Sequence, residues 1–536
     1  MVDKASLVIK NGRIYTVDKT NPWAQALAVN GDKIVYVGPN KGAEKYIDSD
    51  TRIIDAKNRL VLPGFIDTHI HAVFGYQQTS WMDLSSATSL EEVYELVKEH
   101  AEKHSDARLI GGYGWNYDAV MSDRGLPNKE DLDSVVNDRP AWLISYCGHT
   151  GWANSKFTKI AEQSLEEKES DLGEMERDPE TGEPTGIFFR AFDLLPVGGS
   201  ISSLIKEKQI EGLKQVINQA IRFGITSIHD PQADLEDLEA YKQLRNEDAL
   251  NVRVYIALYH HKETAEENLI RFEEARSRFF DEWIKVGAVK LYIDGVPETH
   301  TAAVLEPYSD DPSTTGSTVY TPDEFKKITA RLDKKKFQIF THSCGDRGVR
   351  VIFDAYENAM RKNGRRDSRH RIEHVEVISQ EDIPRFRQLG VIADMMPRHA
   401  APDFDGVYSV VLGPKRLKTA FPWNSLDKAG AVLAFSSDWP VAEMNPLLGI
   451  HTALTRSGDL SAEEAISLEK AIEGYTINAA YASFEEDIKG SIEVGKLADI
   501  IILSDNLFEI PADKVKDVEV LLTIVGGKEV YRSDKI

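Results

Sequence analysis

Five of the 14 histidines in this chain stand at or just after the ends of short apolar runs. Imidazole is the commonest metal-binding side chain, and the carboxyl ends of parallel strands meet on one face of a barrel. In the segment 65–71, FIDTHIH, two histidines are two residues apart, so on a strand both rings face the same side and can reach one ion. A pair of surface histidines would give the same spacing. The five are His69, His71, His229, His342 and His374.

Lys290 lies inside the apolar run 286–293, VGAVKLYI. A buried ammonium group costs several kcal/mol unless it is paired, so something must neutralise it. Two interpretations stay open. The lysine can snorkel to water or pair with Asp294, or it can react with carbon dioxide to give a carbamate whose two oxygens bridge two metal ions.

His342 ends the run 337–342, and His374 ends the segment 371–374, RIEH. Their equivalent places on successive strand–helix units favour metal ligands, although each alone fits a hydrogen-bonded core histidine equally well. Asp438 follows the apolar run 431–436, where a carboxylate can both contact a metal and accept a proton. An N-cap is the alternative role for Asp438.

Eight apolar runs that could be buried parallel strands alternate with segments of helical periodicity. This pattern predicts an α/β fold, a distorted (β/α)8 TIM barrel. The runs are 64–70, 224–229, 253–259, 288–293, 337–341, 370–374, 390–395 and 431–436.

Short β-like pieces with turn signals occur only near the two ends of the chain, which predicts a small composite β-sandwich domain from both termini, residues 1–60 plus 488–536. Two unrelated edge hairpins are the alternative. The barrel then occupies 61–487, with an insertion after barrel strand 1 at about 75–205, because no single strand–helix unit needs so many residues. An insertion there leaves from the catalytic face, so we expect it to cover the site.

The chain of 536 residues has 64 Lys and Arg against 87 Asp and Glu, a net charge of −23. This charge argues against binding to nucleic acid or to an anionic membrane. Two cysteines, Cys147 and Cys344, are too few for a disulfide framework, and no apolar run reaches the ~20 residues of a membrane helix. We therefore expect a cytoplasmic protein with a small-molecule substrate, and a homodimer stays open.

The order of His69, His71, Lys290, His342, His374 and Asp438 resembles the amidohydrolase superfamily of metal-dependent hydrolases. Nearly the whole chain resembles its YtcJ-like branch, which includes N-substituted formamide deformylases. The supporting motifs are GWNYD at 114–118, DLD at 131–133, His149 with Asn154, Asp294-Gly295 and TAA at 301–303.

This resemblance implies two divalent metal ions bridged by a carboxylated Lys290, with Zn²⁺ favoured. His69 and His71 would hold the more buried ion with Asp438, and His342 and His374 the more exposed one. This chain departs from the branch at two places. Where the branch often has QPTH, this chain has MPRH at 396–399, which places the cation of Arg398 at the mouth of the site. Cys344 occupies a position where the branch usually has an unreactive residue. The candidate substrate-binding residues are Trp115, Asn116, His149, Arg398, His399 and Trp439.

The function predicted for this arrangement is hydrolysis of a carbon–nitrogen bond, an amide or N-formyl group, by a metal-bridging hydroxide, with Asp438 moving the proton. A cyclic amide, carbamate or ester is accessible to the same centre. Two other functions are possible for the same fold. A mononuclear deaminase would not need Lys290. A non-catalytic regulatory barrel would be expected to have an incomplete set of ligand residues, whereas this sequence has all six. Trp115 and Tyr146 could also be core residues of the insertion.

Overall fold

The computed structural model describes residues 4–73, 75, 81–105, 107–121, 125–146, 150–166, 174–189, 200–262, 264, 266–401, 408–456 and 460–536. The chain forms two compact units. The first unit combines Met1–His71 with Ile217–Ile536, and the second is Ala72–Val216.

The core of the first unit is an eight-stranded sheet in which all neighbouring strands are parallel and the strand order follows the chain. Each of the eight predicted runs supplies one strand, which confirms the barrel prediction. The first to eighth strands are Phe65–Asp67, Ile225–Ala233, Arg253–Tyr259, Ile284–Tyr292, Gln338–Ser343, Arg371–His374, Ile392–Met395 and Val432–Phe435.

The first and eighth strands meet just beyond their carboxyl ends. The backbone N of Asp438 donates to the O of His69 at 2.8 Å, and the N of His71 donates to the O of Trp439 at 2.9 Å. Ile70 and Trp439 form an isolated parallel bridge. This nearly closes the sheet into a barrel, and it joins two predicted ligand segments at the closure point.

Helices follow most barrel strands and carry ordinary local start signals. The helix Pro322–Lys334, for example, begins with a capping box between Thr321 and Glu324, and Pro322 occupies its first turn. The helix Ser200–Arg222 contains the sequence boundary between the two units, after Val216. The other helices of the first unit are Asp237–Asn246, Glu266–Arg278, Asp346–Asn363, Arg385–Leu389, Tyr408–Leu417 (kinked at Gly413), Trp423–Lys428, Pro446–Thr455, Leu468–Gly474 and Ile477–Ala482, with 3₁₀ turns at Pro297–Thr299, Pro397–Ala400 and Ala462–Glu464.

Both ends of the chain contribute to two further sheets in the first unit. Leu60–Pro63 pairs antiparallel with Ile500–Leu503, so one sheet contains strands from each end. Ile9 and Ile14 share a hydrophobic cluster with Ile500. One sheet contains Leu7–Lys10, Ala26–Asn30, Lys33–Gly38 and Arg52–Asp55, and the other contains Arg13–Tyr15, Trp23–Ala24, Leu60–Pro63, Ile500–Leu503, Val520–Val525 and Lys528–Arg532. Short helical turns here are Asn40–Ala43, Glu44–Tyr46 and Ala512–Asp517.

The second unit contains a six-stranded mixed sheet with helices of its own. Its bounds, Ala72–Val216, lie close to the insertion expected at about 75–205. The strands are Met82–Asp83, Ile110–Trp115, Ala141–Ser145, Thr150–Ala153, Glu174–Arg177 and Pro184–Phe189, and the helices are Leu90–Lys103, Tyr117–Val120, Lys129–Asp133 and Ser155–Glu166.

Among the helices that the structure describes, none is both long enough and apolar enough to cross a membrane.

Candidate metal centre

All six predicted ligands belong to the carboxyl-terminal part of a barrel strand or to the residues that follow it. His69 and His71 follow the first strand, and Asp438 follows the eighth. Lys290, His342 and His374 lie in the fourth, fifth and sixth strands. Parallel strands in one sheet direct these positions to the same end of the barrel, which is where such folds carry their active sites.

His69, His71 and Asp438 lie together at the closure point. The Nε2 atoms of His69 and His71 are 3.4 and 3.1 Å from Oδ1 of Asp438. The two imidazole rings are 5.1 Å apart between centroids. The structure therefore brings together the three residues that the resemblance assigns to one ion.

His342 and His374 form the adjacent pair. Their ring centroids are 4.3 Å apart, and the ring of His374 is 5.2 Å from that of His69. Nδ1 of His374 is 3.9 Å from Oδ2 of Asp438. Asp438 thus faces His69 and His71 with one carboxylate oxygen and His374 with the other.

Lys290 is completely buried, and its Nζ has no hydrogen-bond partner among the described residues. The carboxyl group of Asp294 has other partners and accepts hydrogen bonds from the backbone N of Ala303, Cys344 and Gly345. Burial lowers the pKa of Lys290 to about 8, against the opposing pull of the carboxylates of Glu373 and Asp438. The side chain neither reaches water nor pairs with Asp294.

The donor atoms of this cluster fit a metal centre. Buried polar atoms nearly always have a hydrogen-bond partner. In the described part of the chain, Nε2 of His69, both ring nitrogens of His374 and Nζ of Lys290 are buried without one. Ligand atoms of His69, His374 and Asp438 all lie within 4.8 Å of one another. Nitrogen and carboxylate oxygen are donors that Zn²⁺ accepts.

The protonation states also suit metal binding. Burial holds the pKa of His69 and of His374 well below the usual value, so both rings are neutral at pH 7. Burial raises the pKa of Asp438, but His71, His399 and Lys290 outweigh it and bring the pKa below the ordinary value. Neutral imidazole and ionised carboxylate are the forms that coordinate metals.

The sequence reasoning missed two buried charged residues in the sixth strand. Nδ1 of His69 contacts the carboxylate of Glu373, which also accepts from Nε of Arg371 at 2.8 Å. The Arg371 guanidinium further contacts Asp394 and donates to the backbone O of Thr68 at 2.6 Å. A carboxylate behind a ligating histidine fixes its ring orientation and tautomer. The sequence signal that could have identified these residues is the segment RIEH, which has three polar residues in a four-residue barrel strand.

Two further buried aspartates tie the first strand to its neighbours. Asp67 accepts from the hydroxyl of Ser437 at 2.5 Å, and burial raises its pKa to about 7. Asp394 accepts from the hydroxyls of Thr68 and Ser436 at 2.8 and 2.9 Å. These bonds hold the loop that carries Asp438 against the residues that carry His69.

The backbone at the site is strained at two of the candidate ligands. His374 and Asp438 adopt φ values of 74° and 58°, in the left-handed region that non-glycine residues rarely occupy. Such conformations persist only where surrounding contacts enforce them, and they concentrate at functional sites.

Of the candidate substrate-binding residues, His399 joins the cluster. Its Nε2 is 3.7 Å from Oδ2 of Asp438, and its Nδ1 is 3.2 Å from Glu376, which also accepts from the hydroxyl of Tyr408 at 2.6 Å. Trp439 directly follows Asp438 and is 6% exposed.

The charge of Arg398 is paired. Its Nε and Nη2 each lie 3.0 Å from a different carboxylate oxygen of Glu443. The cation expected at the mouth of the site is therefore held in a two-point ion pair.

The insertion residues have structural roles of their own. Trp115 is completely buried in the hydrophobic core of the second unit, as the alternative interpretation of this residue predicts. The side chain of Asn116 accepts from the N of Asp118 and caps the helix Tyr117–Val120. His149 lies outside the described residues.

A model of the amidohydrolase family matches residues 52–531. The chain belongs to the amidohydrolase family. This membership makes it a hydrolase and confirms the resemblance read from the motifs.

Three curated relatives match this amidohydrolase over nearly its whole length. Protein LONG AFTER FAR-RED 3 of Arabidopsis thaliana is 31% identical, covering 98% of this chain and 92% of the relative. The putative amidohydrolase YtcJ of Bacillus subtilis is 28% identical, with 97% and 98% covered. N-substituted formamide deformylase of Arthrobacter pascens is 26% identical, with 98% of each covered.

Among solved structures, an uncharacterized metal-dependent hydrolase from Pyrococcus furiosus is similar to this amidohydrolase with a TM-score of 0.74 and 27% identity. The match covers 93% of this chain and 99% of that one. The fold of that hydrolase is therefore shared over nearly the whole chain.

Proposed function

We propose that this hydrolase cleaves a carbon–nitrogen bond, an amide or N-formyl group, in a small molecule at a centre of two divalent metal ions. The observation that supports the proposal most is the set of buried ligand atoms around Asp438 that lack hydrogen-bond partners among the described residues. Similarity to an N-substituted formamide deformylase supports the choice of bond.

His69 and His71 with Asp438 would hold the more buried ion, and His342 with His374 the more exposed one. Zn²⁺ is the favoured ion because imidazole and carboxylate suit it. Bound divalent ions lower the pKa of water toward neutrality and polarise a substrate carbonyl.

Lys290 would bridge the two ions as a carbamate. A pKa of about 8 leaves part of the lysine as the neutral amine near neutral pH. The ammonium group first releases one proton to solvent. The neutral amine nitrogen then forms a bond to the carbon of carbon dioxide as one C=O π bond opens onto oxygen, and the nitrogen releases a second proton to solvent. A buried cation would thus be replaced by an anion with two ligand oxygens. This exchange removes the cost of an unpaired ammonium group inside the barrel.

Asp438 would move the proton. Its carboxylate is ionised at neutral pH, so it can accept a proton from the attacking water and deliver it to the leaving nitrogen. The backbone bond from its N to the O of His69 fixes the carboxylate beside the histidines. Glu376 contacts Nδ1 of His399, whose Nε2 lies 3.7 Å from Oδ2 of the same carboxylate.

The test is a substrate panel of N-formyl, N-acyl and cyclic amides together with matched esters, assayed with zinc-loaded protein. We expect turnover of an amide or N-formyl compound that falls by more than ~10²-fold in Asp438→Asn. The control is Asp534→Asn, which changes an exposed carboxylate near the C-terminus and should keep full activity. Turnover of esters alone, or of no compound by metal-loaded protein, would contradict the proposal.

A further inference from the structure

Cys344 lies two residues beyond His342 and is 1% exposed. Its Sγ is 3.7 Å from Nε2 of His342. Ligand atoms of His342, Cys344 and His374 all lie within 4.8 Å of one another. The thiol thus belongs to the group of donors around the more exposed ion position.

The sulfur–nitrogen spacing suits a shared ion. Ligands about 2.1 Å (nitrogen) and about 2.3 Å (sulfur) from one tetrahedral zinc are about 3.6 Å apart. The 3.7 Å separation in the structure agrees with this span. His374 supplies an independent sign of a missing partner, because this ring is 4% exposed and neither nitrogen has a hydrogen-bond partner among the described residues.

Backbone hydrogen bonds hold the cysteine in place. The carboxylate of Asp294 accepts from the N of Cys344 at 3.2 Å and from the N of Gly345 at 3.0 Å. The O of Cys344 accepts from the N of Val377 at 3.0 Å. The sulfur is therefore presented by a pre-organised turn, which is what a ligand position requires.

Cys344 and His342 could also have roles that involve no metal. Cys344 could pack as a small core residue, and His342 could form a hydrogen bond. A free cysteine often packs as a small hydrophobe. Nε2 of His342 is also 3.2 Å from the O of Gly295. Ligation through this nitrogen needs the tautomer that carries its proton on Nδ1, and the measurement below separates these roles.

We propose that Cys344, as a thiolate, is a third protein ligand of the ion held by His342 and His374. Ligation forms a sulfur–metal bond while the S–H bond breaks, and the proton leaves to solvent. The inference rests on the proposed metal centre. It also narrows the identity of the metal, because a thiolate favours zinc, cobalt or cadmium over magnesium and manganese.

The test replaces the native metals with Co²⁺ in the full-length protein and compares three forms, wild type, Cys344→Ser and Cys147→Ser. Cys147 is the only other cysteine in the sequence and is the matched control. We expect a near-ultraviolet sulfur-to-cobalt charge-transfer band in wild type and Cys147→Ser but not in Cys344→Ser. The visible ligand-field bands of bound cobalt should remain in all three forms.

X-ray absorption on the zinc-loaded wild type gives a readout that needs no variant, a sulfur neighbour at about 2.3 Å. Two results would contradict ligation by Cys344 without contradicting the metal centre. One is bound cobalt that shows ligand-field bands but no charge-transfer band, and the other is bound zinc without a sulfur neighbour. A charge-transfer band that survives in Cys344→Ser would also overturn ligation by Cys344. Failure of wild type to bind cobalt would instead reject the proposed metal centre.

Discussion

The amine of Lys290 is buried away from water, and the carboxylates of Glu373 and Asp438 oppose the lowering of its pKa by burial. If it bridges two ions as a carbamate, Lys290→Ala should lose at least one metal ion per chain and most of the activity. Added short carboxylates should restore part of both, because they supply two bridging oxygens. Elemental analysis with and without acetate measures this.

The matched control for this change is Lys285→Ala in the same barrel strand. The Nζ of Lys285 donates to the O of Ser483, so its removal should leave the metal content unchanged. A Lys290→Ala protein with two ions and full activity would show that the lysine has no bridging role.

Glu373 contacts His69, one of the candidate metal ligands. Its carboxylate contacts Nδ1 of His69, so Nε2 is the nitrogen left for the ion. Glu373→Gln should lower metal affinity by about 10–100-fold, the usual effect of losing such a supporting group. Competition with a chelator measures the affinity, and Glu381→Gln, an exposed carboxylate, is the control. Equal affinities in the two variants would argue against the orienting role.

At the scale of elements, the sixth strand contributes more than a ligand. Arg371 and Glu373 are two residues apart and share one face of the strand. His374 would face away from Glu373 in a regular strand, but its φ of 74° ends the extended conformation. Both Glu373 and His374 can therefore contact residues of the site.

The helix Pro322–Lys334 is fastened at its end by Asp333. Burial raises the pKa of this carboxyl, but hydrogen bonds from His370 and Asn363 and the charge of Arg366 outweigh burial and lower the pKa well below its usual value. A carboxyl whose pKa is depressed in the folded protein stabilises the fold at pH values above about 4, which is its pKa in the unfolded chain. This contribution to stability is lost as the pH falls.

The urea midpoint of wild type should therefore fall more steeply below about pH 4 than that of Asp333→Asn. The variant should also be less stable at pH 7, because Arg366 loses its charged partner. Parallel pH profiles of the two proteins would disprove this contribution.

At the scale of the whole molecule, the second unit stays our candidate for substrate choice. Trp115 fills the core of that unit, so Trp115→Ala should cost about 3–5 kcal/mol of its stability. The selectivity test therefore falls on His149→Ala. We expect this variant to change kcat/KM between substrates of different side-group size while the metal content stays constant.

An equal decline of kcat/KM for every substrate would give the insertion a covering role alone. Specificity would then be sought at Arg398, His399 and Trp439. Arg398→Ala would release Glu443 from its ion pair, so Glu443→Gln is the variant to compare with it.

The eight strands and the six ligand candidates were predictable from local patterns. Apolar runs, turn residues and helical periodicity are short-range features, and a histidine at the end of such a run is visible without any neighbour. The family followed from the order of these residues.

The supporting contacts needed the tertiary structure. His69 and Glu373 are 304 residues apart in sequence, and their contact depends on the register of the strands and on closure between the first and eighth strands. The same holds for the ion pair of Arg398 with Glu443 and for the position of His399 beside Asp438. A sequence pattern shows which residues can do chemistry, whereas the side chains that orient and neutralise them are selected by packing between distant segments.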